Sequence, residues 1–155
     1  MALVMFYHLT RSPVEQTLPL LLEKSLQAGW RVLVRGREAE LLDRIDRRLW
    51  AVPAEGFLPH GLAGGPHDTD QPVLLTTSPA PAPEAANTPA CLIAIDNAPV
   101  AAPEAAALER VCILFDGADP AAMEVARGQW RDLTAAGLPA QYWSEASGNW
   151  RKERG

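Results

Sequence analysis

His60, His67 and Asp68 carry metal-ligating groups, Ser12 and Ser78 carry hydroxyls, and Cys91 and Cys112 carry thiols. A zinc site needs a second ligand pair at a recognised spacing, and none accompanies the two histidines, whose loop is rich in glycine and proline. A structural or solvent-facing role is expected for them. Neither serine sits in a glycine-flanked nucleophile elbow, and each cysteine lies inside an apolar run, where a buried reduced thiol is more usual than a disulfide or a redox pair. Two aromatic positions differ from these. Phe57, between Gly56 and Leu58 in an irregular stretch, has no helical or strand stripe to bury it and suits an aromatic anchor for a partner. Trp130 stands three residues from Arg127, and Arg127 and Arg131 are four apart, so in a helix the two guanidinium groups share a face with the indole beside them.

The scaffold for these side chains is a chain of 155 residues, enough for one domain that buries roughly two-thirds of its unfolded surface. Hydrophobic residues at 48% and charged residues at 21% are ordinary for a globular domain and unlike the disordered and membrane classes. No apolar run approaches the roughly 20 residues that cross a bilayer, and the segment from Met1 to Phe6 lacks the basic start and cleavage site of a signal peptide, so a cytoplasmic protein is expected. The net charge of -5 argues against wholesale binding of nucleic acid, which depends on clustered Lys and Arg displacing counterions. Every Lys and Arg lies at or before Arg48 or at or after Arg110, and Leu49 to Glu109 holds seven acids and no base. An anion-binding surface must come from the first or the last third of the chain.

Leu3 to Tyr7 is short, apolar and rich in strand formers, as a strand buried on both faces requires. Ser12-Pro13-Val14-Glu15 reads as a capping box that starts a helix, with Leu18, Leu21, Leu22 and Leu26 as its stripe, Pro19 as a kink and Gly29 as its end. Arg31 to Arg35 reads as a second strand and Arg37 to Trp50 as a second helix. Ala51 to Gln71 reads as a long loop, Val73 to Thr77 as a strand, and the Pro/Ala-rich stretch from Ser78 to Ala90 as an exposed, mobile excursion. Cys91 to Ile95 and Val111 to Phe115 are two further strands, joined by an Ala-rich segment. Asp119 or Asp116 caps a helix from Pro120 to about Ala136, ended by Gly137, and a short strand follows near Ala140 to Trp143.

Alternating strands and helices without repeats predict a three-layer α/β/α domain with a mostly parallel sheet, of Rossmann-like or P-loop-like topology. The domain should span residues 1–150, with a basic tail at 151–155. Such folds often hold nucleotides at the first strand-to-helix turn. Here the turn from Tyr7 to Pro13 has no glycine and no Gly-Lys-Ser/Thr, so the close backbone approach of a phosphate cradle is missing, and no nucleotide site or cofactor is expected.

The stretch from Leu49 to Gly64, with Leu49-Trp50, Pro53 and then Phe57-Leu58-Pro59-His60-Gly61-Leu62-Ala63-Gly64, resembles the signature of the DNA polymerase III chi subunit family. The likeness extends at lower density over Phe6-Tyr7, Ser12, Val14-Glu15-Gln16, Arg31-Val32-Leu33 and Ala136-Gly137. It implies a non-catalytic adaptor of the bacterial replicative polymerase holoenzyme. In chi proteins a phenylalanine at the place of Phe57 is implied in docking the psi subunit of the clamp loader, and in some bacteria an accessory helicase competes for that surface. The resemblance assigns Phe57, Leu58 and Pro59 to this contact. A plainer reading has Trp50 and Leu62 covering the core, Pro53 and Pro59 stiffening the loop and His60 bonded locally.

The resemblance implies a second surface, for the C-terminal tail of single-stranded-DNA-binding protein, whose acidic residues precede a terminal Pro-Phe. Arg127, Trp130 and Arg131 line up with a basic, an aromatic and a basic residue of chi proteins at this site, guanidinium groups for the acids and indole for the phenylalanine. The alternative is a solvated arginine face over a core-facing Trp130. Met123 stands where some chi proteins carry a lysine one turn earlier, and Arg151, Lys152 and Arg154 could restore the charge. Two rivals remain on sequence grounds: a nucleotide-binding or enzymatic α/β domain, and direct binding of DNA.

Overall fold

The computed structural model describes residues 2–10, 12–51, 60–145 and 151–154. Among them a single sheet runs β3-β4-β2-β5-β6-β1-β7-β8. Its strands are β1 (Leu3–Leu9), β2 (Val32–Arg35), β3 (His60–Leu62), β4 (Val73–Thr76), β5 (Cys91–Ala94), β6 (Arg110–Asp116), β7 (Ala140–Ser144) and β8 (Arg151–Arg154). The helices are α1 (Val14–Gln27), α2 (Ala39–Ala51), α3 (Ala102–Ala106) and α4 (Pro120–Ala135). All ladders are parallel except the last, in which β8 runs antiparallel to β7. This is the expected three-layer α/β fold. No helix among the described residues is long and apolar enough to cross a membrane.

Strand alternation sorts the core into two layers. Met5, Tyr7, Val32, Val34, Ile93 and Leu114 face the side covered by Leu18 and Leu22 of α1 and Leu42, Ile45 and Leu49 of α2. Val4, Phe6, Leu33, Leu92, Val111 and Ile113 face the side covered by Ala105 of α3 and Ala126 and Leu133 of α4. The alanines Ala122 and Ala126 let α4 lie close to the sheet while Leu133 fills the space near its end. Each large side chain so buried contributes about 1.5–3 kcal/mol by its removal from water.

Four features depart from the sequence expectation. Ser12 does not cap α1: the helix begins after Pro13 without a side-chain cap, and the Ser12 hydroxyl donates instead to Glu145 Oε2 at 3.0 Å. A buried carboxylate has stronger need of donors than a helix end open to water. The stretch read as a loop from Ala51 to Gln71 contains β3, an edge strand paired with β4. The Pro/Ala-rich stretch is pinned to the sheet. Its Ala82 and Asn87 are fully buried, and Asn87 Nδ2 donates to Val32 O and Gln71 O, each at 3.1 Å. Residues 151–154 form a strand that extends the sheet beyond β7.

Glu104 of α3 anchors that stretch further. Arg35, at the end of β2 and 1% exposed, donates to both Glu104 oxygens and to the carbonyls of Ala80 and Pro99. Glu104 also accepts the amides of Ala82 and Ala101, at 2.8 and 2.9 Å. Loop, helix and strand therefore close on one buried ion pair.

Candidate partner-binding groove

Helix α4 starts at Asp119, whose carboxylate accepts the Ala121 amide at 3.0 Å, and Pro120 follows at the first turn. It ends at Gly137, whose φ of +87° is the left-handed geometry that glycine adopts without strain. Arg127, Trp130 and Arg131 consequently stand together on one face, as their spacing predicts, and line a groove of about 430 Å³. The groove floor is Phe6 and Phe115, with Met123 and Ala126 from the helix and Tyr142 from β7 beside them.

Trp130 is half-buried rather than fully in the core. Its ring lies 5.2 Å from Phe6 and 6.4 Å from Tyr142 between centroids, tilted to the first and edge-on to the second, which are favourable aromatic geometries. Arg127 and Arg131 are exposed at the rim. Arg127 touches Glu124 at 3.5 Å, and with both side chains largely in water such a pair contributes little, so an incoming carboxylate can replace Glu124. Met123 adds apolar lining and no charge.

Strand β8 supplies the remaining wall through Glu153 and Arg154. The Arg154 guanidinium carbon sits 5.1 Å from the Trp130 ring centroid. The arrangement is thus an aromatic floor with guanidinium groups around it, suited to an anionic ligand that also carries an apolar side chain. Burial pushes the Tyr142 phenol up from its ordinary value, with Glu153 adding to the rise and Arg127 opposing it.

Behind Tyr142, its hydroxyl lies 2.5 Å from His8 Nδ1, and the His8 ring stacks on Phe115 at 5.1 Å. Burial lowers the His8 imidazole below its ordinary 6.5, with Asp116 and Glu145 opposing it in part. The neutral ring can accept a hydrogen bond from the Tyr142 hydroxyl. Gly117 is needed here because a Cβ at that position would overlap the His8 imidazole.

A second hollow, of about 470 Å³, opens at the C-terminal ends of β1 and β6, where related topologies place phosphates. Its lining includes Glu15, Asp96, Asp116 and Asp119. Several backbone amides in and beside this hollow are engaged by the chain's own carboxylates. Glu145 Oε1 accepts Thr10 N at 3.0 Å and Ser12 N at 2.8 Å, and Asp96 Oδ2 accepts Arg37 N and Glu38 N at 2.9 Å each.

The remaining sequence candidates are dispersed. His60 is buried, its Nε2 3.1 Å from Asp46 Oδ1, and it packs against Trp50 at 4.3 Å. His67 is exposed, and Asp68 accepts the amides of Gly64 and Gly65. No cluster of three metal-ligating side chains occurs among the described residues. Ser78 Oγ accepts the Ala80 amide at 3.2 Å, and Cys91 and Cys112 are buried free thiols. Trp50 and Leu62 do not cover the core: they are 54% and 36% exposed. Phe57, Leu58 and Pro59 lie outside the described residues.

Helical spacing names none of Phe6, Phe115 and Tyr142, and the sequence offers Arg154 only as a tail cation that could restore charge. Phe6 and Phe115 follow from strand parity once β1 and β6 are known to be neighbours, but that adjacency is tertiary. The charged Arg151–Arg154 offers no apolar alternation from which a strand could be read.

Residues 1–141 match the profile of the family described as DNA polymerase III chi subunit, HolC. Among curated proteins, the DNA polymerase III subunit chi of Escherichia coli (strain K12) is 43% identical over 53 residues, which is 34% of this chain and 36% of that protein. The matched stretch thus spans about a third of that relative's length.

Proposed function

From the premise that the chain belongs to the DNA polymerase III chi subunit family, its match running over residues 1–141, we propose that it works as a non-catalytic adaptor of the bacterial replicative polymerase holoenzyme. One contact is with the acidic C-terminal tail of single-stranded-DNA-binding protein, through Arg127, Trp130 and Arg131. The observation that carries this reading is the groove itself, in which these three side chains meet over an aromatic floor. Guanidinium groups pair with carboxylates, while Trp130, backed by the buried Phe6, gives a terminal phenylalanine an apolar surface.

The other contact is with the psi subunit of the clamp loader, or in some bacteria an accessory helicase, through Phe57, Leu58 and Pro59. Support for it comes from the family resemblance and from Leu62, a large apolar side chain that is 36% exposed a few residues after that segment. Two modest contacts joined in one rigid domain raise effective concentration, so the polymerase would be tethered to coated template without any new chemistry. As a replication subunit the protein would act in the cytoplasm.

A nucleotide-binding or enzymatic role is disfavoured by Glu145, which accepts the Ser12 amide of the first turn, and by Asp96, an acid of the hollow's lining that would repel a phosphate. Gel shifts with bare single-stranded DNA and with DNA coated by its binding protein test the proposal. A supershift with coated DNA alone is expected, and binding to bare DNA alone would refute the adaptor reading. A pull-down with psi tests the other contact.

A further inference from the structure

The groove has a wall outside the stretch matched to the family. That match ends at residue 141, whereas β8 occupies Arg151–Arg154 and pairs antiparallel with β7. In this ladder Arg154 stands opposite Tyr142, itself a groove residue. Its position is therefore set by the sheet and not by a free tail. The guanidinium carbon lies 5.1 Å from the centroid of the Trp130 ring, within the range of a cation–π contact. Stacked guanidinium groups are weakly hydrated and keep in-plane donors for a carboxylate. The hollow of about 430 Å³ is present with Arg154 in place, so this side chain flanks the opening without filling it.

We propose that Arg154 is a specificity-determining residue of the groove, the third guanidinium around its apolar floor, supplied by β8. The ligand it selects is an acidic chain end that also bears an aromatic side chain. Arg127 and Arg131 meet its acids from the helix side and Arg154 from the sheet side. This adds positive charge to a groove whose helix carries the uncharged Met123 one turn before Arg127. Glu153, the one acid in the lining among the described residues, works against such a ligand. The inference rests on the reading of the groove as the site for an acidic tail, and it adds the residue that decides how strongly charge is read there.

Calorimetry on the full chain with a synthetic peptide of acidic residues ending in Pro-Phe tests it. Arg154→Gln is expected to weaken binding about three- to tenfold, the range of an exposed cation–π and ion-pair contribution, and to flatten the dependence of affinity on salt. Glu153→Gln is expected to tighten binding, and Lys152→Gln, which removes a cation of the same strand outside the groove lining, to leave it unchanged. Equal losses from Lys152→Gln and Arg154→Gln would show a diffuse charge effect and overturn the assignment. Unchanged binding by Arg154→Gln, with binding still lost in Trp130→Ala, would overturn the role of Arg154 while leaving the groove as the site. Tighter binding by Arg154→Gln would also overturn it, making Arg154 a cover over Trp130. Failure of the unsubstituted protein to bind the peptide would overturn the site and the inference together.

Discussion

Glu104 of α3 grips Arg35 of β2 at two points, 2.8 and 3.0 Å, with both side chains almost wholly withdrawn from water. The remaining acceptor capacity of the carboxylate goes to the amides of Ala82 and Ala101. One acid thus holds together a strand, a helix and the Pro/Ala-rich stretch. A buried pair of this kind earns little net stability against apolar replacements, but breaking it leaves a charge stranded in the interior.

Glu104→Ala should therefore destabilise the fold by about 3–5 kcal/mol, and the joint replacement Arg35→Met with Glu104→Leu by much less. Urea unfolding of the three proteins measures the difference. Equal losses in the single and joint variants would contradict the stranded-charge argument.

Acid should expose the same pair. Burial tends to raise the Glu104 carboxyl, but hydrogen bonds from Arg35, Ala101 and Ala82, with the Arg35 charge, outweigh it and hold the group below its ordinary 4.5. With the folded value depressed, the unfolded chain binds the proton first. The stabilisation is then complete above 4.5 and is lost as pH falls from there through the folded value. Unfolding midpoints should decline below about pH 4.5 in the native protein and decline less in Glu104→Gln. Parallel acid limbs would show that other groups govern the loss.

His8 should titrate below 6.5 in the folded protein, because burial disfavours the imidazolium more than Asp116 and Glu145 favour it. For a histidine lowered on folding, stability is present above 6.5 and diminishes as pH falls through the folded value, since the unfolded chain takes up the proton more readily. Protonation also removes the Nδ1 acceptor facing Tyr142. NMR titration of the His8 ring should give a midpoint under 6.5, with Tyr142 resonances moving in step. A midpoint above 6.5 would reverse the assignment.

Glu145→Ala would leave the part-buried amides of Thr10 and Ser12 without their carboxylate, at a cost of about 1 kcal/mol. Hydrogen exchange at these two amides should accelerate, while amides of α4 stay protected. Unchanged exchange at Thr10 and Ser12 would mean that the carboxylate does not hold the turn.

Trp130→Ala should cost on the order of 2 kcal/mol in binding of an acidic tail peptide, as central aromatic anchors do. Calorimetry reads it directly, and unchanged affinity would remove Trp130 from the site.

The strands β1, β2, β4, β5 and β6 are legible as apolar runs because both faces of a parallel sheet are covered, and α2 and α4 are legible from apolar periodicity and from the Asp119 and Gly137 signals. Two strands escaped that reading. His60–Leu62 is three residues long and glycine-containing, and Arg151–Arg154 is wholly charged, so each owes its extended form to a neighbouring strand's hydrogen bonds and not to its own pattern. Ser12 misled for a related reason. Its capping signal is local, whereas its partner Glu145 is 133 residues away.

The groove divides along the same line. Sequence alone determined that Arg127, Trp130 and Arg131 share a helix face, because helical spacing is a local property. It also determined that the first turn lacks the glycines of a phosphate cradle. Only the tertiary structure decided that Phe6, Tyr142 and Arg154 complete the groove, and that Glu145 occupies the turn's amides. Those contacts join distant parts of the chain. Which residues meet there depends on the strand order β6-β1-β7-β8, set by packing of the whole sheet and not by any one segment's pattern.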